Sequence, residues 1–580
     1  QVNATYTPIE GLDIKGLVSY NMYHYLNSTF TNRMDPITDF LTGKTISGSG
    51  VAVNQLDEKW ERNGRLLTQA TASYVKDIKK HHGKLLLGTS YEKYKTRFIQ
   101  VVRKNFASNN LGVINGGSSD PQNTDASGNM SESGLASFFG RFNYSYDDKY
   151  IFQANLRVDG SSRFAPGHRW GVYPSFSAAW RLSEENFLQS TDWISNLKVR
   201  GSWGRLGNIN NVGYYDFYDA INVGSSIILD QTQQDGAWPG KVANPTLSWE
   251  KVTMANIGID GSFWNNKFSF QIDAFNKLTD GILQANPSMP DEMGLTSDQV
   301  PVINFAQVRN KGFEFNLSYR NSIGDFKYEV GGNFTRIWNS VERLAGDDIQ
   351  PTNYWVNAVG HPIGTFYMYK AQGLFVNQKD VDNHAFQSVN TAPGDIKYAD
   401  INDDGKIDGD DRTYVGSDVP YKYYGIHLSA SYKNFDLTVM GQGVMDVQVY
   451  LPSEASQAFF NGAGAKSYVL DRWTEENPDP NAAYPRLLTT ANNTQNLKTS
   501  SFWLFDASYF RVKSISLGYT LPESVVSSMN IHNFRVYLSS NNPFTIRGDH
   551  RLGDFDPESA SSRGGYPQMK SFIFGVNLTF

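Results

Sequence analysis

At 580 residues the chain is too long for one ordinary hydrophobic core unless it is a repeat protein or a large barrel. With no cysteine, neither disulfides nor thiolate metal sites can staple it, and a net charge of −6 argues against a nucleic-acid partner, which demands a basic surface. No run of about 18 apolar residues occurs, which excludes transmembrane helices and leaves membrane-crossing strands allowed.

Aromatic residues make up 14% of the chain and glycine contributes 51 residues, a composition suited to strands and turns. No leader peptide is visible at Gln1; for an exported protein this implies a processed or partial chain. The His81-His82 pair beside Lys79-Lys80 reads as solvated turn residues rather than a metal site. Clean period-two segments then recur. On 135–146 the apolar parity is Ala136, Phe138, Phe142, Tyr144 and Tyr146, and on 150–158 it is Tyr150, Phe152, Ala154, Leu156 and Val158. Only Asp147-Asp148-Lys149 joins them, so they form a hairpin. The same grammar returns in 253–263 with 268–276, in 312–320 with 326–336, and in 423–432 with 435–443.

Polar, Gly-rich stretches separate the hairpins at roughly 27–63, 98–134, 206–250, 280–307, 339–422, 444–506 and 542–570. Short and long connections therefore alternate, with short turns at one end of the sheet and long loops at the other. That pattern predicts an all-β fold, a transmembrane antiparallel β-barrel of about seventeen strands in this chain, rather than a secreted repeat. An odd count places the first strand's start and the last strand's end on opposite sides of the membrane, which reads as the C-terminal part of a larger barrel.

The long loops are rich in aromatic and amide side chains. Tyr214, Tyr215, Trp238, Tyr354 and Trp355 are the candidate substrate contacts, with Phe459, Phe460 and Trp473 in the same class, because aromatic faces stack on sugar rings and amides bond hydroxyl or peptide groups. Packing of loop on loop is the alternative for each. Within the loop 339–422, the stretch 400–411 reads D-I-N-D-D-G-K-I-D-G-D-D. Asp400, Asn402, Asp404, the Lys406 carbonyl, Asp408 and Asp411 take positions 1, 3, 5, 7, 9 and 12 of an EF-hand-like cation loop, with Gly405 at the sharp turn. Oxygen-only ligands favour calcium, with magnesium as the alternative, in a structural role. Position 12 carries Asp where Glu is usual, and no flanking helices are evident. No H-E-x-x-H, G-x-S-x-G or Walker spacing occurs, so no catalytic residue is assigned and the chain is not read as an enzyme.

The closing strand S-F-I-F-G-V-N-L-T-F (Ser571–Phe580) has Phe572, Phe574, Val576, Leu578 and Phe580 on one parity. Gly575, Leu578 and the terminal Phe580 resemble the C-terminal assembly signal of bacterial outer-membrane barrels; Phe574 departs from it, since a polar residue commonly precedes that Gly.

Several segments resemble the barrel of SusC-type TonB-dependent transporters of Bacteroidetes (the SusC/RagA family). They are R-V-D-G-S-S-R-F (Arg157–Phe164), R-W-G-V-Y-P-S-F-S-A-A-W-R (Arg169–Arg181), L-K-V-R-G-S-W-G-R-L-G-N (Leu197–Asn208), N-P-T-L-S-W-E-K (Asn244–Lys251), N-K-G-F-E-F (Asn310–Phe315), P-G-D-I-K-Y-A-D-I-N-D-D-G-K-I-D (Pro393–Asp408), F-R-V-K-S-I-S-L-G-Y-T-L-P (Phe510–Pro522) and the stretch Tyr566–Phe580. The resemblance implies a twenty-two-strand outer-membrane barrel with its C-terminus in the periplasm and its long loops outside the cell. It further implies a plug that contacts TonB, both absent from this chain, and a SusD-like surface lipoprotein over the mouth. The implied activity is import of a bulky oligosaccharide or oligopeptide. A siderophore or other small-chelate receptor is the alternative within transport, and a calcium-binding surface adhesin the alternative outside it.

Overall fold

The computed structural model describes residues 1–229, 231–296, 299–489, 495–527, 531–559 and 565–580. Seventeen strands form one sheet in which each pairs antiparallel with the next along the chain. They are β1 (Val2–Ile9), β2 (Leu12–Thr31), β3 (Gln55–Ile78), β4 (His81–Lys104), β5 (Thr124–Tyr146), β6 (Tyr150–Ser161), β7 (Trp170–Arg181), β8 (Ile194–Asn208), β9 (Glu250–Phe263), β10 (Phe268–Ala285), β11 (Val302–Ile323), β12 (Phe326–Arg343), β13 (Lys422–Tyr432), β14 (Phe435–Met445), β15 (Tyr509–Thr520), β16 (Asn533–Arg547) and β17 (Ser571–Thr579). Among the described residues no ladder joins β1 to β17, so the sheet keeps two free edges.

Directly opposed residues of an antiparallel pair share a face, so register decides whether the apolar parities of separate strands meet. They do. The row Tyr74, Leu85, Phe142, Ala154, Phe176, Trp203 crosses β3 to β8 residue against residue. Ile259, Ile272, Phe315, Phe334 and Tyr424 continue it across β9 to β13, and Leu437, Leu517, Leu538 and Phe574 across β14 to β17. One apolar face therefore spans the whole sheet and is exposed, as at Ile272, Leu538 and Phe574. A soluble repeat would bury such a face; a membrane barrel gives it to lipid. At the turn end Tyr146 stacks on Tyr150, Tyr150 on Trp180, Trp193 on Phe263 and Phe326 on Tyr328, the aromatic girdle of a membrane interface.

Gly575 of β17 lies opposite Tyr537, whose ring occupies the space a Cβ would fill. Any larger residue there must displace that ring, which explains the small residue beside the large apolar ones.

The strands run further than alternation predicts. β3 and β4 each have 24 residues, about 80 Å at about 3.3 Å per residue, far more than an apolar band of about 25 Å requires. Their outer halves carry polar residues on both faces and so look like loop in the sequence. Stretches expected as 27–63 and 98–134 shrink to 32–54 and 105–123, and the loop expected as 339–422 becomes 344–421. Two turn-end connections, 182–193 and 521–532, are longer than the rest at that end.

The loops also build more structure than expected. The stretch 339–422, polar and Gly-rich in sequence, contributes to a hydrophobic core: Phe366, Met368, Leu374, Ile396, Tyr398 and Ile407 pack with Val449, Leu451, Tyr484, Trp503 and Phe505 of the loop 446–508 and Leu552 of the loop 548–570. Three loops distant in sequence share one cap with its own core. Small sheets brace it, one of four strands (Ile349–Pro351, Trp355–Ala358, Thr365–Tyr369, Arg412–Ser417) and pairs such as Ala371–Leu374 with Ile396–Tyr398.

Candidate functional site

The face opposite the apolar one is polar and cross-linked. The Arg200 guanidinium donates to both oxygens of Asp273, each at 2.6 Å, and to Asp260 at 3.1–3.2 Å, while the Lys198 ammonium sits 2.8 Å from Asp260. Arg157 grips Asp159 at 2.7 and 2.8 Å and Ser137 at 2.8 Å, and Arg535 holds Asp436 at 2.6 and 2.9 Å. Fixed charges in balanced pairs keep this wall wet while cancelling the long-range field that would trap a passing solute. Arg157 finds Asp159 two residues away, whereas the partners of Arg200 and Arg535 lie 60 to 99 residues away and could not be read from the sequence.

The last loop folds inward over this wall. Arg511, on the polar face of β15 and nearly fully buried, donates to both oxygens of Asp556 at 2.8 Å and lies 3.3 Å from Glu558. Lys513 sits where the β15–β16 register shifts, and its ammonium bonds Glu558 at 2.5 Å. That bulge turns a side chain which strict alternation would aim elsewhere. Beside the cluster is a cavity of about 450 Å³, walled by Tyr423, Gln442 and Tyr509 of the barrel and by Asp418, Gln448 and Glu558 of the loops. The Gln448 carbonyl oxygen is buried there without a partner, and burial pushes the Asp418 carboxyl above its ordinary range. Neutral acceptors and hydroxyls around a half-buried acid suit a polar, hydrogen-bonding solute.

The expected aromatic contacts fall into separate groups. Trp355 lies beside Asp418, whose carboxyl lines the mouth cavity, and its ring packs at a tilt on Tyr354 with centroids 4.2 Å apart. Tyr354 packs in turn on Tyr450 of the cap, which makes it part wall and part cap packing. Tyr214 stacks on Tyr94 at 6.4 Å under the Arg163 guanidinium, and the Tyr215 hydroxyl accepts from the Glu132 amide at 3.2 Å. Trp238 stands on a separate two-stranded ribbon, Ile221–Leu229 with Thr232–Pro239. Phe459 is exposed, whereas Trp473 is buried in the cap core.

In the 400–411 loop, Asp400 Oδ2 accepts from the Gly405 amide at 2.9 Å, Asn402 Oδ1 from the Asp404 amide at 3.1 Å, and Asp404 Oδ1 from the Lys406 amide at 3.0 Å. Asp403 and Gly405 take left-handed φ of 60° and 85°, the sharp turn expected of this spacing. Asp400 Oδ1 is buried without a partner. The Lys406 ammonium lies 2.7 Å from Asp408 and 3.3 Å from Asp404, which holds the Asp408 carboxyl below its usual range and its own pKa above. Fully buried Asp411 accepts from the Ile401 and Asp408 amides, each at 2.8 Å, and so caps the turn. Among the described residues no three His, Asp or Glu side chains converge closely enough to hold a metal as they stand. One helix, Gln378–Asp382, precedes the loop, and its last side is pinned by Phe386, which pairs with Lys406.

Residues 1–542 match the family model for the TonB dependent receptor-like β-barrel. A TonB-dependent receptor of Formosa agariphila is 28% identical over 99% of this chain and 58% of its own length, and the TonB-dependent receptor SusC of Bacteroides thetaiotaomicron is 29% identical over 77% of this chain and 44% of its own. The chain thus spans about half the length of these relatives. The RagAB peptide importer in its open-open state superposes with a TM-score of 0.83 at 24% identity, covering 100% of this chain and 60% of that one, and shares its fold. The polar wall is therefore the lumen and the exposed apolar face the lipid face, the arrangement of barrels in the outer membrane. This chain belongs to the TonB-dependent receptor β-barrel family.

Proposed function

We propose that this chain forms most of the barrel of an outer-membrane importer for a bulky nutrient, an oligosaccharide or oligopeptide, energised by TonB and working with a SusD-like surface lipoprotein. The observation that carries this reading is the cap: three long loops share a hydrophobic core over the mouth of a charge-balanced lumen, leaving a polar cavity at their junction. A cap of that size gives a lipoprotein a rigid seat, and the likeness to SusC and to a peptide importer supports the same assignment. The C-terminus lies at the turn end, which is the periplasmic side, and Gly575, Leu578 and Phe580 act in assembly. The adhesin alternative needed a soluble repeat and loses its basis in the single sheet of seventeen strands. Gentle purification of the intact protein from native outer membranes, followed by mass spectrometry, should yield a lipoprotein partner in about equal amount and a sugar or peptide ligand. A lone barrel carrying a ferric chelate would overturn this reading.

The 400–411 loop is a calcium site in the same proposal. Asp400, Asn402, Asp404, the Lys406 carbonyl, Asp408 and Asp411 would hold the ion once the Lys406 ammonium leaves its two carboxylates. The partnerless Asp400 oxygen and the three turn-forming hydrogen bonds support the fit. The ion would supply charge neutralisation that orders the segment. Calcium at about 100 times its Kd should then stabilise the cap by about 2.7 kcal/mol, with a weaker effect of magnesium. Asp400→Asn with Asp404→Asn should abolish that gain in hydrogen exchange of the cap while the barrel stays folded. A gain that persists in the double variant would remove the site.

A further inference from the structure

On the lipid-facing parity above the apolar belt, β2, β3 and β4 set cations against one another. Arg62 lies directly opposite Arg97 across the β3–β4 ladder and directly opposite His24 across the β2–β3 ladder. Lys95 and Lys93 follow on the same face of β4, and among the described residues the carboxylate they pair with is Glu132 of β5, 2.9 Å from each. Arg62, Arg97, Lys93 and Lys95 are all exposed, and among the described residues neither arginine side chain has a hydrogen bond or ion pair. Like charges directly opposed across a ladder destabilise a sheet. Elsewhere on this face Arg336 and Lys422 share Asp446 and Arg309 has Glu342, while Arg205 and Lys311, which lack a carboxylate among the described residues, have no second cation opposite them. The unpaired row calls for an anion from outside the chain.

Height identifies which anion. The twelve steps from Leu85 to Arg97 cover about 40 Å along the strand and about 30 Å of height at a tilt of about 40°. Counted from the hairpin end at His81, the ten steps to Tyr91 already cover about 25 Å of height, so an apolar band of that thickness ends near Tyr91 and the cations from Lys93 to Arg97 stand within about 15 Å above it. Tyr20 and Tyr91, both exposed on the same parity, mark that boundary. One pair further out, Trp60 faces Ile99 and Leu26, and its indole is 57% exposed. An apolar ring beside unpaired cations is costly against bulk water and suited to a phosphorylated sugar, which offers phosphates to the guanidinium forks and a ring face to the indole.

We propose that Arg62 and Arg97, with Lys93 and Lys95, bind the phosphorylated glycolipid headgroup of the outer leaflet. The proposal rests on the outer-membrane placement of the barrel and is independent of what the lumen carries. The two arginines fork onto phosphate, the lysines neutralise the remaining charge, and Trp60 lies along the sugar. The site lies on one flank of the barrel, β2 to β4, where outward cations oppose one another across the ladders.

The test uses the full-length protein in detergent with purified phosphorylated lipid A, dephosphorylated lipid A and inorganic phosphate as probes. Wild type should retain phosphorylated lipid A at least tenfold better than Arg62→Gln with Arg97→Gln, and at least tenfold better than it retains the dephosphorylated form. Excess inorganic phosphate should not compete. Glu132→Gln, which removes the one local carboxylate, should raise retention. Equal retention by the double variant, no rise with Glu132→Gln, competition by inorganic phosphate, or loss of the lipoprotein partner in place of lipid A would each overturn the proposal. Heat-modifiable gel migration reports folding of every variant. Recovery of wild type outside the outer-membrane fraction would fail the placement itself and the proposal with it, a result distinct from intact placement without lipid A.

Discussion

Ile272→Arg should destabilise the inserted barrel by about 2–4 kcal/mol, while Gln271→Arg, one residue away, should cost far less. Ile272 is exposed on the lipid face between Ile259 and Phe315, about 10 Å above the girdle residue Phe268 at about 3.3 Å per residue along a tilted strand. An arginine there must drag its charge through hydrocarbon or bend toward the interface. Gln271 faces the lumen opposite Asp260 and Asn316, where a guanidinium finds water and a carboxylate. A folding titration of the two variants into bilayers measures the difference. Equal costs at the two positions would contradict the assignment of faces.

Asp395→Leu should cost the cap about 3–5 kcal/mol of local stability and leave the barrel standing. Asp395 is 1% exposed, and its oxygens take two hydrogen bonds from Arg486, at 2.7 and 2.9 Å, one from Asn496 at 2.9 Å and one from the Ala392 amide at 2.9 Å. Asn496, fully buried, passes the link on by accepting from the Ile396 amide at 2.8 Å. This is the staple between the loop 344–421 and the loop 446–508. Removing the carboxylate leaves a guanidinium and an amide desolvated without an acceptor. Hydrogen exchange should show the amides around Ile396, Tyr398 and Trp503 opening together while those of β11 to β14 stay protected. The pair Asp395→Leu with Arg486→Met should recover part of the loss, since no buried charge is then stranded. A single variant whose cap exchanges like wild type would show that the apolar core alone holds the loops.

Much of the fold could be read locally, because a barrel strand needs only nearest-neighbour information. Alternation at Phe268, Phe270 and Ile272 against Ser269 and Gln271 states which side meets lipid, and the turn Asp147-Asp148-Lys149 states where the chain reverses. The strand ends were harder to read. Beyond the hydrocarbon both faces of β3 and β4 meet water or other loops, so no parity of apolarity marks them, and the cationic row Arg62–Arg97 becomes visible only through register. In the EF-hand-like loop, spacing predicted the sharp turn at Gly405 but not that the Asp400, Asn402 and Asp404 side chains would accept from backbone amides within five residues. Spacing did not predict that the Asp411 carboxylate would cap the Ile401 and Asp408 amides, a matter of how the buried end of the loop packs.

The sequence by itself determined the strand class, the number of strands, the two faces and the hairpin order, all of which follow from a period of two and from turn chemistry within a few residues. Only the tertiary structure decided the cap and the closed charge pairs. Ile396 meets Trp503, Asp395 meets Arg486 and Arg511 meets Asp556 across separations that the loop sequences do not encode as any period. Those contacts exist because the antiparallel ladder brings loop roots together at one rim, where apolar loop residues with no lipid to face must bury one another.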